Sequence, residues 1–498
     1  MNGWETGILR RNRIMKDLES EKKIIVYGAG KRATCLCSLL QETSYRIVGL
    51  TDSNPMLYGK QIGNLEIKSV DEAFANEYDY WVVSIANKAA KKEINCTVLT
   101  HGGREDKEID FEDLLLQIYE EQYVKWKDSR TGEMNPGNPA LIFENYNGFI
   151  LGGVEKWVAS VLNAGILEGM NIRVLSSINH TGIKKEWFPY IDFEIPTGTI
   201  DRTDQVQRLF CYFERYRTSV FVFSFPNDVF KLACIYKKMS VAPLQIIAVL
   251  HNDVETFYQE YIKYDAYVNQ YLCVSQRIQY ILNHTYNISE QKTQTVTLPF
   301  QCEETLERGY SLNVQEPIRI GYAGRLEVQQ KRLDLFPAFV FELEKSNLNY
   351  KMEIAGDGSA RELMQKFVRD NHLENKIIFL GQIDRNDIPT FWRSQDIQIS
   401  FSDYEGHSIT QLESMANGAV PIVTEVSGVV DDITNGYNGF YGPVGDYEFL
   451  ANQVRYLYWH REQLQVMGQA AHDTVYEKSD MKSHIAFWHT LLEENACS

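Results

Sequence analysis

From residue 140 to residue 424 the chain repeats one unit, a short apolar run followed by a turn and a helix-like segment, and this repetition leaves few folds open. ALIFENYNGF, NIRVLSS, SVFVFSF, LQIIAVLHND and AYVNQYLCVS form a first series. IRIGYAG, MEIAGDG, KIIFLG, DIQISFS and AVPIVTE form a second, which begins after Pro317. Between the runs lie apolar residues at helical spacing, such as Trp157, Val158, Val161 and Leu162, with further helices expected near 204–216, 227–238 and from Gln276. Strands alternating with helices pair in parallel and are covered on both faces. The pattern predicts two consecutive α/β domains. Set face to face, they leave a cleft at their strand ends, where open sheets bind ligands.

A third, shorter α/β pattern precedes them. KKIIVYGAG, Lys22 to Gly30, is a strand entering a glycine turn, followed by a helix-like stretch to Leu40 and a second strand ending at Asp52. Gly28, Gly30 and Ala33 fit the GxGxxA form of a dinucleotide fingerprint, and Asp52 falls where an acid can meet a ribose. A third strand follows at Tyr78–Ala86, but the pattern dissolves by Gly103, leaving half a dinucleotide fold. A Tyr-x-x-x-Lys match at Tyr123 and Lys127 is read as chance, since so short a pattern recurs often. The expected division is a helical segment at 1–21, a Rossmann-like accessory domain at 22–110, a helix and linker at 111–138, α/β domains at 139–315 and 316–480, and a final helix at 481–498. That last helix carries Ile485, Trp488 and Leu492 on one face.

Composition removes several classes of function. A chain of 498 residues needs two or three cores, and its net charge of −17 argues against a nucleic-acid partner, which needs clustered Lys and Arg. The eight cysteines are dispersed, lack a zinc spacing and fit a reducing compartment. Neither a secretory leader nor a run of ~20 apolar residues stands out, so a cytoplasmic location is expected. Ile8, Met15 and Leu18 lie near one helical face beside Arg10, Arg11, Arg13 and Lys16. Packing on the following domain suits this weakly apolar face better than peripheral contact with the inner membrane face, where a lipid acceptor would be held.

The densest chemistry lies in FSDYEGHSITQLESMANGAVPIVTE. A strand there feeds a helix through Gly406, with Ser408 or Thr410 placed to cap it and Leu412, Met415 and Ala416 on its apolar face. The free amides and positive end of such a helix attract a diphosphate. If all eight residue steps from Glu405 to Glu413 were helical, the two would stand roughly 12 Å apart along the axis. That exceeds the roughly 5–9.5 Å of a hydrolase's carboxylate pair. One acid at each end of a diphosphate-linked ligand fits better, since sugar and ribose hydroxyls both donate to carboxylates.

Taken together, residues 140–498 resemble the retaining glycosyltransferases of the GT-B fold, specifically glycosyltransferase family 4. The resemblance rests on Gly152 and Gly153, His251 after a strand, VSQR at 274–277, GRLEVQQK at 324–331, AGDG at 355–358 and the Glu405–Glu413 pair. It implies two facing Rossmann-like domains, the first for the acceptor and the second for a nucleotide-sugar donor. It assigns Arg325 and Lys331 to the diphosphate, with Gly406, His407 and Ser408 at the helix start; Glu405 to the donor sugar; and Glu413 to the ribose. Gly324, Gly356 and Gly358 would let backbone approach the nucleotide, while Gly152 or Gly153 and His251 would act from the first domain. His407 departs from the commoner small or aromatic residue and could add a hydrogen bond to phosphate or sugar. The implied reaction moves a sugar, from a UDP-sugar by preference, to a glycan or lipid-linked acceptor in bacterial surface-polysaccharide synthesis. It proceeds by front-face attack and calls for no cofactor and no metal. The accessory domain resembles those of some surface-polysaccharide enzymes, with Gly28, Gly30 and Asp52 as its nucleotide candidates. Competing readings are a catalytically silent binding subunit, a nucleotide-sugar epimerase on the same frame and, for the accessory domain alone, an oxidoreductase.

Overall fold

The computed structural model describes the chain except for residues 1–13, 16, 17, 19, 41, 42, 86, 131–136, 146–152, 178–184, 196–199, 201, 241, 301, 479, 480, 497 and 498. Its described strands form three sheets. The first contains β1 (Lys22–Tyr27), β2 (Tyr45–Thr51), β3 (Gln61–Ile62), β4 (Leu65–Lys68) and β5 (Tyr80–Val83) in the order β3-β4-β2-β1-β5. The second contains β6 (Leu141–Asn145), β7 (Ile172–Ser177), β8 (Ile191–Ile195), β9 (Val220–Phe223), β10 (Gln245–Leu250), β11 (Gln270–Cys273) and β12 (Thr293–Thr295). Its order is β12-β11-β10-β9-β6-β7-β8. The third contains β13 (Ile318–Ala323), β14 (Tyr350–Ala355), β15 (Ile377–Gly381), β16 (Ile397–Ile399), β17 (Val420–Thr424) and β18 (Phe440–Gly442) in the order β15-β14-β13-β16-β17-β18. Neighbouring strands are parallel except β3 with β4. Buried runs such as VFVF in β9 and VPIVT in β17 account for this, because helices cover both faces of central parallel strands.

The helix Phe111–Asp128 packs between the first two sheets. Asp110 caps it by accepting from the Glu112 amide at 2.9 Å, and its charges run acidic to basic along the macrodipole. Tyr123 and Trp126 pack on Phe210, with ring centroids 5.3 and 5.5 Å away, so the Tyr-x-x-x-Lys tyrosine is a core residue. Glu120 pairs with Lys238 at 2.6 Å, and Glu121 accepts from Ser44 at 2.6 Å and pairs with Lys22 at 3.3 Å. One apolar cluster runs through accessory sheet, helix and second sheet. Ile14 and Leu18 pack against it, whereas Ile8 and the arginines at 10, 11 and 13 lie outside the described residues.

The third sheet has its own core, built on Ile320, Phe339, Met352 and Ile422. The helix Glu462–Lys478 packs on the helix Ile409–Ala416 of that lobe. The last helix, Met481–Ala496, returns to the second sheet instead. There Trp488 is wholly buried, 5.1 Å from the Phe143 ring, and His484 Nε2 accepts from both Trp157 at 3.2 Å and Trp488 at 3.0 Å. Among the described residues no helix is long and apolar enough to cross a membrane, and every cysteine is a free thiol.

Candidate active site

Between the second and third sheets lies a cavity of about 530 Å³. From the N-terminal lobe, Gly153 starts the helix Gly153–Leu167, and His251 and Asn252 follow β10. Across the cavity stand Gly324, Arg325, Gln330 and Lys331 after β13, then Glu405, His407, Ser408 and Thr410. Two cations and a helix start thus share one space with a carboxylate and a histidine.

The two loops of the C-terminal lobe brace each other. Lys331 Nζ sits 2.5 Å from Glu405 Oε1, and Gln330 donates to Glu405 at 3.3 Å and to the Tyr404 carbonyl at 3.0 Å. Arg325 reaches Gln330 at 2.7 Å and Glu327 at 3.2 Å, yet its side chain stays 66% exposed and available to an anion. Ser408 caps the helix Ile409–Ala416 by accepting from the Gln411 amide at 3.3 Å. The amides of Ile409 and Thr410 have no acceptor among the described residues, as expected of a free helix start.

His251 is the one buried group here left without a partner. Among the described residues its Nε2 is buried without a hydrogen-bond partner, its ring stands edge-on to Trp157 at 4.9 Å, and burial pushes its pKa down to about 3. A neutral, unpartnered imidazole beside a cavity is a place where a ligand can supply the missing hydrogen bond.

Glycines let the lobes and loops approach. A Cβ on Gly406 would lie 1.9 Å from the His251 carbonyl oxygen, and only its absence allows the antiparallel bridge between Gly406 and Asn252. Gly356 and Gly358, expected to approach a nucleotide, do not line the cavity. Their missing side chains would lie 1.9 Å from the Gly324 oxygen and 2.3 Å from the Leu326 oxygen, so they let AGDG pack behind the Arg325 loop. Gly152 lies outside the described residues.

Two further expectations change. Both ring nitrogens of His407 are engaged, Nδ1 with the Val274 carbonyl at 2.8 Å and Nε2 with Asp432 at 2.6 Å, so its side chain offers no hydrogen bond to phosphate or sugar. Glu413 faces a neighbouring chamber of about 420 Å³, where it forms an ion pair with Lys156 of the opposite lobe. Leu298 and Ile409 line both chambers, so the two spaces adjoin. Lys156, Gln330, Asn252 and Asp432 were not singled out from the sequence. A lone chain holds no sign of them, because each matters through a partner far away in sequence.

In the accessory domain, Gly28 adopts φ +98 and packs against Ser84, while the Asp52 carboxylate accepts from the Ala29 amide at 2.8 Å and the Asn54 amide at 2.9 Å. The acid expected to meet a ribose instead closes its own glycine turn. Gly30 faces open space. No group of three or more potential metal ligands converges among the described residues.

Comparisons with known proteins agree with this geometry. Residues 304–474 match the family model "Glycosyl transferases group 1", and residues 20–109 match "C2185-like, N-terminal". The chain is 26% identical over 186 residues to N-acetyl-alpha-D-glucosaminyl L-malate synthase of Bacillus anthracis, covering 37% of this chain and 48% of that protein. It thus spans about half the length of that relative. It is 23% identical over 330 residues to lipopolysaccharide 1,6-galactosyltransferase of Escherichia coli K12, covering 62% of this chain and 85% of that one. The crystal structure of Anabaena HepE in complex with UDP superposes with a TM-score of 0.60 at 14% identity, covering 72% of this chain and all of that one. The protein therefore has the GT-B fold, preceded by a small α/β domain, and carries a group 1 glycosyltransferase domain in its C-terminal lobe.

Proposed function

We propose that the protein is a glycosyltransferase that takes a sugar from a nucleoside-diphosphate donor, by preference a UDP-sugar, and passes it with retention of configuration to a glycan or lipid-linked acceptor. One observation carries this reading: Arg325, Lys331, Ile409 and Thr410 of the helix start, Glu405 and His251 all line one interlobe cavity. Cleaving the bond from sugar to phosphate leaves charge on the departing diphosphate, and fixed cations and amide dipoles in a partly dry cleft stabilise it as it forms. Glu405 and His251 then suit sugar hydroxyls. Glu413 in the adjoining chamber suits the ribose once its bond to Lys156 opens. A front-face attack in which the departing phosphate oxygen takes the acceptor's proton needs no protein nucleophile, and the two cations supply the charge a metal would otherwise bring.

The HepE complexes with UDP and UDP-glucose support the donor class, and the lipopolysaccharide galactosyltransferase supports an acceptor in surface-glycan assembly. A silent subunit or an epimerase is not favoured, since the matching family model and the lipopolysaccharide galactosyltransferase both point to sugar transfer. Screening UDP-, GDP- and ADP-sugars by thermal shift, followed by mass analysis of transferred or hydrolysed sugar, tests the reading. Stabilisation by one nucleotide sugar, lost in Arg325→Ala, is expected. Indifference to all three, or full turnover in Arg325→Ala, would overturn it.

A further inference from the structure

We propose that His407 is a positioning residue carried as an imidazolium, clasping the donor loop of the C-terminal lobe to the N-terminal lobe so that closing the cleft holds a proton. The inference deepens the glycosyltransferase reading and rests on it for its link to donor binding. Its basis is hydrogen-bond valence. The Nδ1 partner, the Val274 carbonyl, can only accept, and so can the Asp432 carboxylate at Nε2. A neutral imidazole has one N–H and satisfies one of them. Both are met only when the His407–Asp432 pair holds one proton beyond a neutral ring and an ionised acid.

The surroundings keep that proton on the ring. Asp432 also accepts from Gln411 Nε2 at 3.2 Å, and the Lys478 ammonium stands 3.8 Å from its other oxygen, both favouring the carboxylate. Asp431, on the same short helix Val429–Asp432, is a second acid facing the ring and accepts from the Gln276 amide across the cleft at 2.9 Å. On the side of the N-terminal lobe the ring's hydrogen-bond partner is the Val274 carbonyl, and Asp253, whose amide donates to the Glu405 carbonyl and whose carboxylate accepts from Ser427, pairs with Arg277 at 3.2 Å. Glu405, two residues before it, is already paired with Lys331. Burial pulls the His407 pKa down, but Asp432 and then the Val274 carbonyl and Asp431 outweigh it, and the net direction is upward.

Location turns this bond into a control on function. His407 sits between Gly406, whose backbone bridges Asn252, and Ser408, the cap of the helix that faces the diphosphate site. Gly428, at φ +82, packs close to His407, where an added Cβ would lie 3.0 Å from the ring's Cγ. A ring so confined cannot turn to find another acceptor. Loss of its proton breaks one of its two bonds and leaves a buried acceptor unpaired, which loosens the loop or the lobe contact.

The sign follows from the raised pKa. The clasp is whole below the free-imidazole value of ~6.5 and is lost as pH climbs through the higher folded value. The test measures binding of UDP, GDP and ADP by calorimetry, and the radius of gyration by X-ray scattering, at pH 7 and 9.5 for wild type, His407→Gln and Asp432→Asn. The nucleotide's own titration is common to all three proteins. Wild type is expected to lose about tenfold in affinity at pH 9.5 and to expand, the scale of one charged hydrogen bond. His407→Gln should bind weakly at both values, and Asp432→Asn should show its loss shifted to lower pH. An unchanged pH response in His407→Gln, or a flat response in wild type, would overturn the clasp. If His407→Gln fails to fold, the shift in Asp432→Asn decides alone. If no nucleotide binds any of the three proteins, the donor-site reading fails, and the scattering alone upholds or overturns the clasp.

Discussion

The two junctions on either side of the N-terminal lobe share one apolar cluster but differ in what surrounds it. The accessory domain meets it through a continuous apolar core, with Tyr123, Trp126, Phe210 and Tyr236 packed ring on ring and Glu120, Glu121 and Glu112 tied to lysines or arginine around the edge. The C-terminal lobe shares that cluster through Leu412, Met415, Val426 and Val429, but at the cleft it adds polar links: Lys156 with Glu413, Ser427 with Asp253, Gln276 with Asp431, His407 with Val274 and one backbone bridge. Apolar packing is lost all at once when a joint opens, whereas polar links exchange for water or ligand at modest cost. The first junction is built to stay shut, whereas the second carries, beside its apolar contacts, polar links that water or ligand can replace.

Several measurements could break that contrast. Trp126→Ala removes a buried indole from the rigid joint and should cost about 3–5 kcal/mol of stability, read as a drop in Cm by chemical denaturation. A cost below 1 kcal/mol would mean the joint is not the shared core described. At the cleft, Lys331→Ala strips Glu405 of its partner and the leaving group of a cation. Steady-state assays should show kcat lowered by about 10²–10³-fold, with little change in Tm. A large fall in Tm with intact kcat would recast Lys331 as structural.

Acid separates two kinds of buried histidine. Burial pushes the pKa of His484 down to about 4 and of His251 to about 3, while unfolded imidazoles take protons below ~6.5. Stability should therefore fall as pH drops from ~6.5 towards those values, by roughly 1.4 kcal/mol per pH unit for each group. His484→Gln, which can still accept from the tryptophans, should show a shallower fall of Tm between pH 6.5 and 5. An identical slope in the variant would remove His484 from the account. The smallest effect belongs to Lys156→Ala. Its partly exposed pair with Glu413 is worth about 0.2–1 kcal/mol, so freeing that acid should change nucleotide affinity only about two- to fivefold, towards tighter binding. Weaker binding would mean that Lys156 itself touches the donor.

Much of the fold could be read ahead of time because parallel strands buried on both faces announce themselves as apolar runs. Short or edge strands such as β3, β8, β12 and β18 escaped notice, being two to five residues long with little pattern of their own. Within the site, Arg325 and Lys331 could be picked out at a strand end and the loop after it and Glu405 at a glycine turn, whereas His251 was marked only by the family resemblance. Gly356 and Gly358 were misjudged because a glycine shows that something comes near, and here the neighbour is the protein's own Gly324 and Leu326 backbone. Asp52 and His407 misled in a similar way: each had the right chemistry for a ligand but found an internal partner first.

The route of the chain's last turns has a mechanical consequence. The polypeptide passes between lobes once after β12 and again beyond Lys478, where Met481–Ala496 docks beside Phe143. Two covalent crossings leave the lobes fewer ways to part than one would, and they hold Arg325 and His251 to opposite walls of the same cavity.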